Sequence, residues 1–254
     1  MKAVILAAGY GTRLYPLTLN KPKALLQVGR RTILERVIEE LFTLDECEAA
    51  YIVSNDKFYK SFCDWVRSEN AKKVSKGKKV EVLNDLTTSN DDRLGAIGDI
   101  NFAVSKLAIK DDLLVLGSDN LFGFKLREFA DFALSKRPCA SLALYDIKDI
   151  KKATLYGIAV LKEGASEITD FQEKPKEPKS TLAATCVYFY PKEKVSLLSE
   201  YMKSGLSKDA PGNFVKWLST KEKVYGYVFD EEWYDIGDKA SLAKADDEYK
   251  KKKS

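Results

Sequence analysis

Gly9-Tyr10-Gly11-Thr12-Arg13 follows the apolar run Ala3–Ala8 without a break. Glycines directly after a strand let the backbone approach an anion closely, and successive N–H groups can form a nest for it. Arg13 can add a bidentate, charge-assisted contact. Pro16 and Pro22 stiffen the segment that follows, and Lys23 sits where it could fold back onto a bound polyphosphate. Taken alone, this fragment reads equally well as an ordinary strand-to-loop turn. A second candidate is Asp119, which closes the apolar run Leu113–Gly117 one residue after Ser118. Asp is common as a turn or cap residue, yet ligands of open α/β sheets gather beyond the carboxyl ends of strands.

Other chemistries are excluded by what is missing. The chain has no histidine, and Cys47, Cys63, Cys139 and Cys186 form no C-x-x-C pair. That rules against a Cys/His zinc site. Scattered cysteines in a chain of this size read as reduced core residues, which points to the cytoplasm. No G-x-G-x-x-G opens a helix, which excludes a dinucleotide fold. No G-x-x-x-x-G-K-[ST] is present, which excludes a P-loop.

These residues need elements to hold them. Ala3–Ala8, Ala49–Ser54, Val80–Leu83 and Leu113–Gly117 are short apolar runs that read as buried strands. Between them, 32–44, 57–69 and 94–107 carry apolar residues at helical spacing. Strand and helix in this rhythm imply an α/β fold, a Rossmann-like, mostly parallel sheet with helices on both faces. The second half changes character, with strands at 141–145, 157–161, 185–190 and 224–229 and helices near 192–203 and 213–219. It reads as an extension of the sheet plus a smaller lobe.

The 254 residues carry 42 basic and 38 acidic side chains, a net charge of +4. That is too mild for a nucleic-acid partner, which asks for a clustered basic face, but it suits anionic ligands. The apolar start is too short for a signal peptide, and no run is long enough to span a membrane. The lysines from Lys250 onward read as a frayed basic tail.

The stretch from Leu6 to Thr18, Leu-Ala-Ala-Gly-Tyr-Gly-Thr-Arg-Leu-Tyr-Pro-Leu-Thr, followed by Pro22-Lys23, closely resembles the signature of sugar-phosphate nucleotidyltransferases. Glucose-1-phosphate thymidylyltransferases and uridylyltransferases are the typical members. The resemblance runs on in order. Leu116-Gly117-Ser118-Asp119 is similar to the family's strand-end aspartate, Tyr156-Gly157 to its Y-G, Glu173-Lys174-Pro175 to its E-K-P, and Trp233-Tyr234-Asp235-Ile236-Gly237 to its W-x-D-x-G.

The resemblance implies one nucleotidyltransferase domain over 1–245, with 1–135 mainly nucleotide-binding, 136–245 mainly sugar-binding, and a basic tail over 246–254. It implies transfer of a nucleotidyl group from dTTP or UTP to a sugar 1-phosphate such as glucose 1-phosphate, releasing pyrophosphate. Asp119 and Asp235 would hold Mg²⁺, which takes one or two carboxylates plus substrate phosphates. Ala8, Gly9, Gly11 and Thr12 would cradle the triphosphate, with Asn84 and Gly95 near the base. Arg13, Lys23 and Lys174 would be the catalytic cations. Gly157, Glu173 and Thr185 would contact the sugar. The nucleophile is an anionic phosphate oxygen, so the absence of histidine is no obstacle. A homo-oligomer is expected, and no added acyltransferase repeat is expected.

The chain departs from the family at three places, the first being Asp119, which sits one residue later than in the common L-G-D form because Ser118 intervenes. The family's usual Q-x-x-P-x-G base segment is replaced by the longer, more polar 84–93, and only Leu94-Gly95-Ala96 matches well. Thr88-Ser89-Asn90 faintly resembles the T-N of cytidylyltransferases that act on phosphocholine, so a CTP-dependent transfer to a phospho-alcohol is an alternative. Cys186 follows Thr185 where relatives commonly carry glycine. A silent nucleotide-sugar sensor is a further alternative. The presence of Arg13, Lys23, Asp119, Lys174 and Asp235 weighs against it.

Overall fold

The computed structural model describes residues 1–251. The chain divides into two compact units: Met1–Arg93, Leu116–Gly123 and Glu232 onward form the first, and Leu94–Val115 with Phe124–Glu231 form the second. The units interleave in sequence, so no single boundary such as residue 135 separates them.

The first unit is built on three parallel strands, β1 (Lys2–Leu6), β4 (Ala49–Ser54) and β5 (Lys79–Asn84). Lys2 stands opposite Ala49, and Ala49 opposite Lys79. All six residues of β4 are buried, which is why it reads as an unbroken apolar run rather than an alternating one. A short hairpin of β2 (Gln27–Val28) and β3 (Arg31–Thr32) leads into α1 (Ile33–Leu41). That helix begins at Thr32 because of a full capping box: Thr32 Oγ1 accepts from Glu35 N, and Glu35 Oε2 accepts from Thr32 N. It buries Ile33, Leu34, Val37, Ile38 and Leu41. Then come α2 (Asp56–Arg67) and α3 (Glu69–Ser75).

The strand β6 (Leu113–Gly117) runs from the second unit into the first. Beyond it, β7 (Asn120–Phe122) pairs antiparallel with β13 (Trp233–Asp235), which sets Asp235 opposite Asn120. The last element, α10 (Lys239–Lys251), is helical through residues 246–251 of the expected basic tail, Lys250 and Lys251 included. Its Asp246 Oδ1 accepts from Gly29 N at 2.7 Å. The Arg36 guanidinium lies 4.1 Å from the centre of the Tyr249 ring. Only Ala245 of this helix is fully buried, so its apolar pattern is too thin to read from sequence. Lys252, Lys253 and Ser254 lie outside the described residues.

The second unit holds α4 (Ala96–Lys106), α5 (Leu126–Ser135) and β8 (Ala140–Asp146). After the short α6 (Ile150–Ala153) come β9 (Gly157–Leu161), β10 (Ile168–Glu173) and β11 (Leu182–Tyr190). Then follow α7 (Lys192–Val195), α8 (Leu197–Lys203), α9 (Pro211–Ser219) and β12 (Val224–Phe229). β8 pairs parallel with β12 and antiparallel with β11, and β9 pairs antiparallel with β10. The α/β architecture, a mostly parallel sheet flanked by helices, is the one expected. Among the described residues no helix is long and apolar enough to cross a membrane.

Candidate active site

β1 ends at Leu6, and the chain turns through Ala8 and Gly9 into a short 3₁₀ turn at Thr12–Leu14. Ala7 N donates to Val53 O at 2.9 Å, which holds the loop to the neighbouring strand. Asn55 then fixes the next carbonyl, its Nδ2 donating to Ala8 O at 2.8 Å. Gly11 has φ +62°, and a methyl group added there would meet Thr18 Cγ2 at 3.2 Å. Both facts demand glycine. The buried Thr18 hydroxyl locks that conformation by donating to Gly11 O at 2.7 Å. Space around Gly9 is open, as a ligand-approach glycine requires. Thr12 and Arg13 are exposed.

Four charged side chains meet beside this loop. Lys23, at the start of a second 3₁₀ turn, forms an ion pair with Asp119. Asp119 Oδ1 accepts from Asn120 Nδ2 at 2.8 Å, and Asn120 Oδ1 accepts from Trp233 Nε1 at 2.8 Å. Asp119 O also accepts from Ile236 N at 3.0 Å. The β7–β13 ladder therefore brings Asp235 beside Asp119. Arg13 reaches the same place: a methyl group added at Gly237 would lie 3.3 Å from Arg13 Nη1. Burial pushes the Asp235 carboxyl up to about 6, and the neighbouring Asp119 charge adds to it, against the opposing pull of Lys23 and Arg13. Burial also pushes on Asp119, but the Lys23 charge and the hydrogen bonds outweigh it and hold that carboxyl below its usual range. Two acids at close quarters with cations beside them suit a hard dication. Among the described residues no cluster of three or more Asp, Glu, Cys or His side chains could hold a metal by itself. Mg²⁺ needs no such cage, because it completes its shell with water and phosphate.

The base-side candidates fall in different units. Asn84 ends β5, its Nδ2 donating to Asp56 Oδ1 at 2.7 Å and its Oδ1 accepting from Leu86 N at 2.8 Å. The polar loop after it is ordered by its own side chains. The buried Asp85 accepts from Thr87 N and Thr87 Oγ1 at 2.8 Å each. Asp92 accepts from Thr88 N and Ser89 N, which pulls its carboxyl down to about 2. Gly95, in the second unit, has a packing reason of its own. Its φ is +78°, and a methyl group there would stand 2.6 Å from Lys208 O.

The second unit gathers the sugar-side candidates. Gly157 stands opposite Glu173 in the β9–β10 ladder. A methyl group on Gly157 would lie 2.8 Å from Phe171 Cζ and 2.9 Å from Glu173 Oε2. A methyl group on Gly212, in the first turn of α9, would overlap the same carboxylate oxygen. Burial raises the Glu173 carboxyl, and the Lys174 charge opposes it. Lys174 is exposed, with φ +44°, and its N–H donates to Tyr156 O at 3.0 Å. Thr185 departs from the expectation: it is fully buried, and its hydroxyl donates to Ala143 O at 3.1 Å. That side chain serves the β8–β11 ladder, so only its backbone is left for a ligand. Cys186 sits in the register break of β11 with φ +58°, a conformation that favours glycine.

Sequence reasoning missed Asn55, Asn120 and Gly212, and it placed Trp233 and Gly237 in the W-x-D-x-G motif without giving either a role. The two asparagines carry no motif of their own. Gly212 could have been found only from the side chains it admits.

Residues 2–252 match the family model described as nucleotidyl transferase. Over 237 residues the chain is 27% identical to the bifunctional protein GlmU of Methanocaldococcus jannaschii, a match covering 93% of this chain and 51% of that protein. Over 239 residues it is 28% identical to the mannose-1-phosphate guanyltransferase of Yarrowia lipolytica, covering 93% and 61%. The chain thus spans half to three fifths of these curated relatives. A crystal structure of UDP-glucose pyrophosphorylase complexed with UDP-glucose shares the fold, with a TM-score of 0.83 at 24% identity over 99% of this chain and 98% of that one.

Proposed function

The chain belongs to the nucleotidyl transferase family, and from that premise we propose that it transfers a nucleotidyl group from a nucleoside triphosphate to a sugar 1-phosphate, releasing pyrophosphate. dTTP or UTP and glucose 1-phosphate are the favoured pair. The observation that carries this reading is the convergence of Arg13, Lys23, Asp119 and Asp235 at the end of the glycine loop.

In-line displacement at a phosphorus atom asks for alignment and charge neutralisation more than for a base. Backbone N–H groups of Gly9, Gly11 and Thr12 bind the triphosphate. Arg13 and Lys23 neutralise it and stabilise the leaving pyrophosphate. Asp119 and Asp235 would hold Mg²⁺, which when bound would supply positive charge where the phosphate oxygens gather. Glu173, with Gly157 leaving room for it, accepts hydrogen bonds from sugar hydroxyls. Lys174 holds the sugar phosphate.

Pyrophosphate release with Mg²⁺ tests the reading, with dTTP, UTP, CTP, ATP and GTP each offered glucose 1-phosphate, mannose 1-phosphate or phosphocholine. Release that needs both a nucleotide and a sugar 1-phosphate is the expected outcome and names the base. Release only with CTP and phosphocholine would replace it with the phospho-alcohol reaction. Nucleotide binding without release from any pair would favour a sensor.

A further inference from the structure

Asn55 lies between β4 and α2, is fully buried, and makes one hydrogen bond from each end of its amide. Its Oδ1 accepts from Phe58 N at 3.0 Å, which caps α2. Its Nδ2 donates to Ala8 O at 2.8 Å. Ala8 is the last residue before the glycines, so its peptide plane sets the direction of the Gly9 N–H. The neighbouring residues tie the same cap to the polar loop after β5. Asp56 N donates to Thr87 O at 3.0 Å, Asp85 N to Ser54 O at 2.9 Å, and Asn84 Nδ2 to Asp56 Oδ1 at 2.7 Å. The first turn of α2 therefore holds two loops through two different residues.

We infer that Asn55 is a positioning residue for the nucleotide's phosphates, and that Asp56 does the corresponding work for the base-side loop. A cap alone would not need the amide: Ser, Thr or Asp cap as well as Asn does. Among these only Asn carries an acceptor and a donor on separate atoms, far enough apart to reach Phe58 N and Ala8 O together. The role follows from this division of labour. Losing the Asn55 donor should weaken every nucleotide alike, because phosphates are common to all. Losing the Asp56 carboxylate should release Asn84 and change the ranking of bases.

This inference rests on the nucleotidyltransferase reading, and the two fail separately. The variants are Asn55→Ser, whose single oxygen keeps the cap but is a bond too short to reach Ala8 O as well, and Asp56→Ala. Steady-state kinetics with the full nucleotide panel would be combined with thermal unfolding and direct binding of nucleotide by calorimetry. For Asn55→Ser the expected result is a rise in nucleotide KM and Kd of about five- to tenfold, the size of one lost hydrogen bond. That rise should be equal for all nucleotides, with the sugar-phosphate KM unchanged. For Asp56→Ala the expected result is a smaller, base-dependent change. A lower Tm with unchanged nucleotide KM and Kd in Asn55→Ser would overturn the inference, leaving Asn55 a structural cap. A base-dependent change in Asn55→Ser would also overturn it. A wild-type chain that neither turns over nor binds any nucleotide would instead remove the reading on which it rests.

Discussion

The two units place their buried acids in different company. In the first, Asp119 and Asp235 sit together beside Lys23 and Arg13: Lys23 and hydrogen bonds outweigh burial at Asp119, while at Asp235 burial and the Asp119 charge are opposed, but not overcome, by the two cations. In the second, Glu173 is wedged among Phe171, Gly157 and Gly212, and its carboxyl is raised chiefly by burial. The first arrangement suits a centre where charge moves in the reaction, because preorganised charges act without reorganising. The second suits recognition of neutral hydroxyls, where shape excludes the wrong partner and one acceptor orients the right one. The contrast teaches that the first unit should govern rate and the second specificity.

The largest effect should come from breaking the first arrangement. Asp119→Asn and Asp235→Asn should each lower turnover about a hundredfold or more, with circular dichroism and Tm showing a retained fold. Near-normal turnover in either would remove that residue from the chemistry. The second unit should respond differently. Gly212→Ala places a methyl group on Glu173 Oε2 and against Phe171, so it should destabilise by about 1–3 kcal/mol through overpacking. Its sugar-phosphate KM should rise while its nucleotide KM stays near the wild-type value. Equal changes in both constants would dissolve the contrast between the units.

Much of this division could be read in the sequence. The glycine loop, Lys23, Asp119 and Asp235 stand in recognisable order, and the apolar strands that lead into the glycine loop and Asp119 show themselves by their unbroken apolar runs. Less legible were contacts that depend on three-dimensional neighbours. Asn55 is an unremarked polar residue until its amide is seen to bridge Phe58 N and Ala8 O. Thr185 looks like a ligand residue until its hydroxyl is found on Ala143 O. Strand β10 escaped notice because its residues alternate weakly, and α10 because it buries a single residue fully.

A subtler test uses pH. The Asp235 carboxyl is raised to about 6 from a value of 3.8. Below about pH 4 folded and unfolded chains both carry the proton. As pH rises through 6 the unfolded chain has already released it and the folded chain must follow, so this group's stabilising contribution is lost. Asp235→Asn lacks that loss. Denaturant unfolding without Mg²⁺ should therefore show the variant gaining on the wild type between pH 4 and 7. Added Mg²⁺ should close the gap by stabilising only the wild type. A gap that does not change with pH would mean that Asp235 is not strained by its neighbours.

The smallest expected effect concerns Cys186. Its φ of +58° strains any side chain by about 1–2 kcal/mol, while glycine adds about 0.5–1 kcal/mol of freedom to the unfolded chain. Cys186→Gly should therefore be slightly stabilising, raising Tm by about 1–4 °C in a chain of this size. A lower Tm would mean that contacts of the thiol outweigh the backbone strain. The kinetic arm then bears on the contrast between the units. If Cys186 narrows the sugar side, its removal should broaden acceptance among hexose 1-phosphates and leave the nucleotide KM untouched. A change in nucleotide KM alone would place this residue's influence with the first unit's chemistry and break the assignment of specificity to the second.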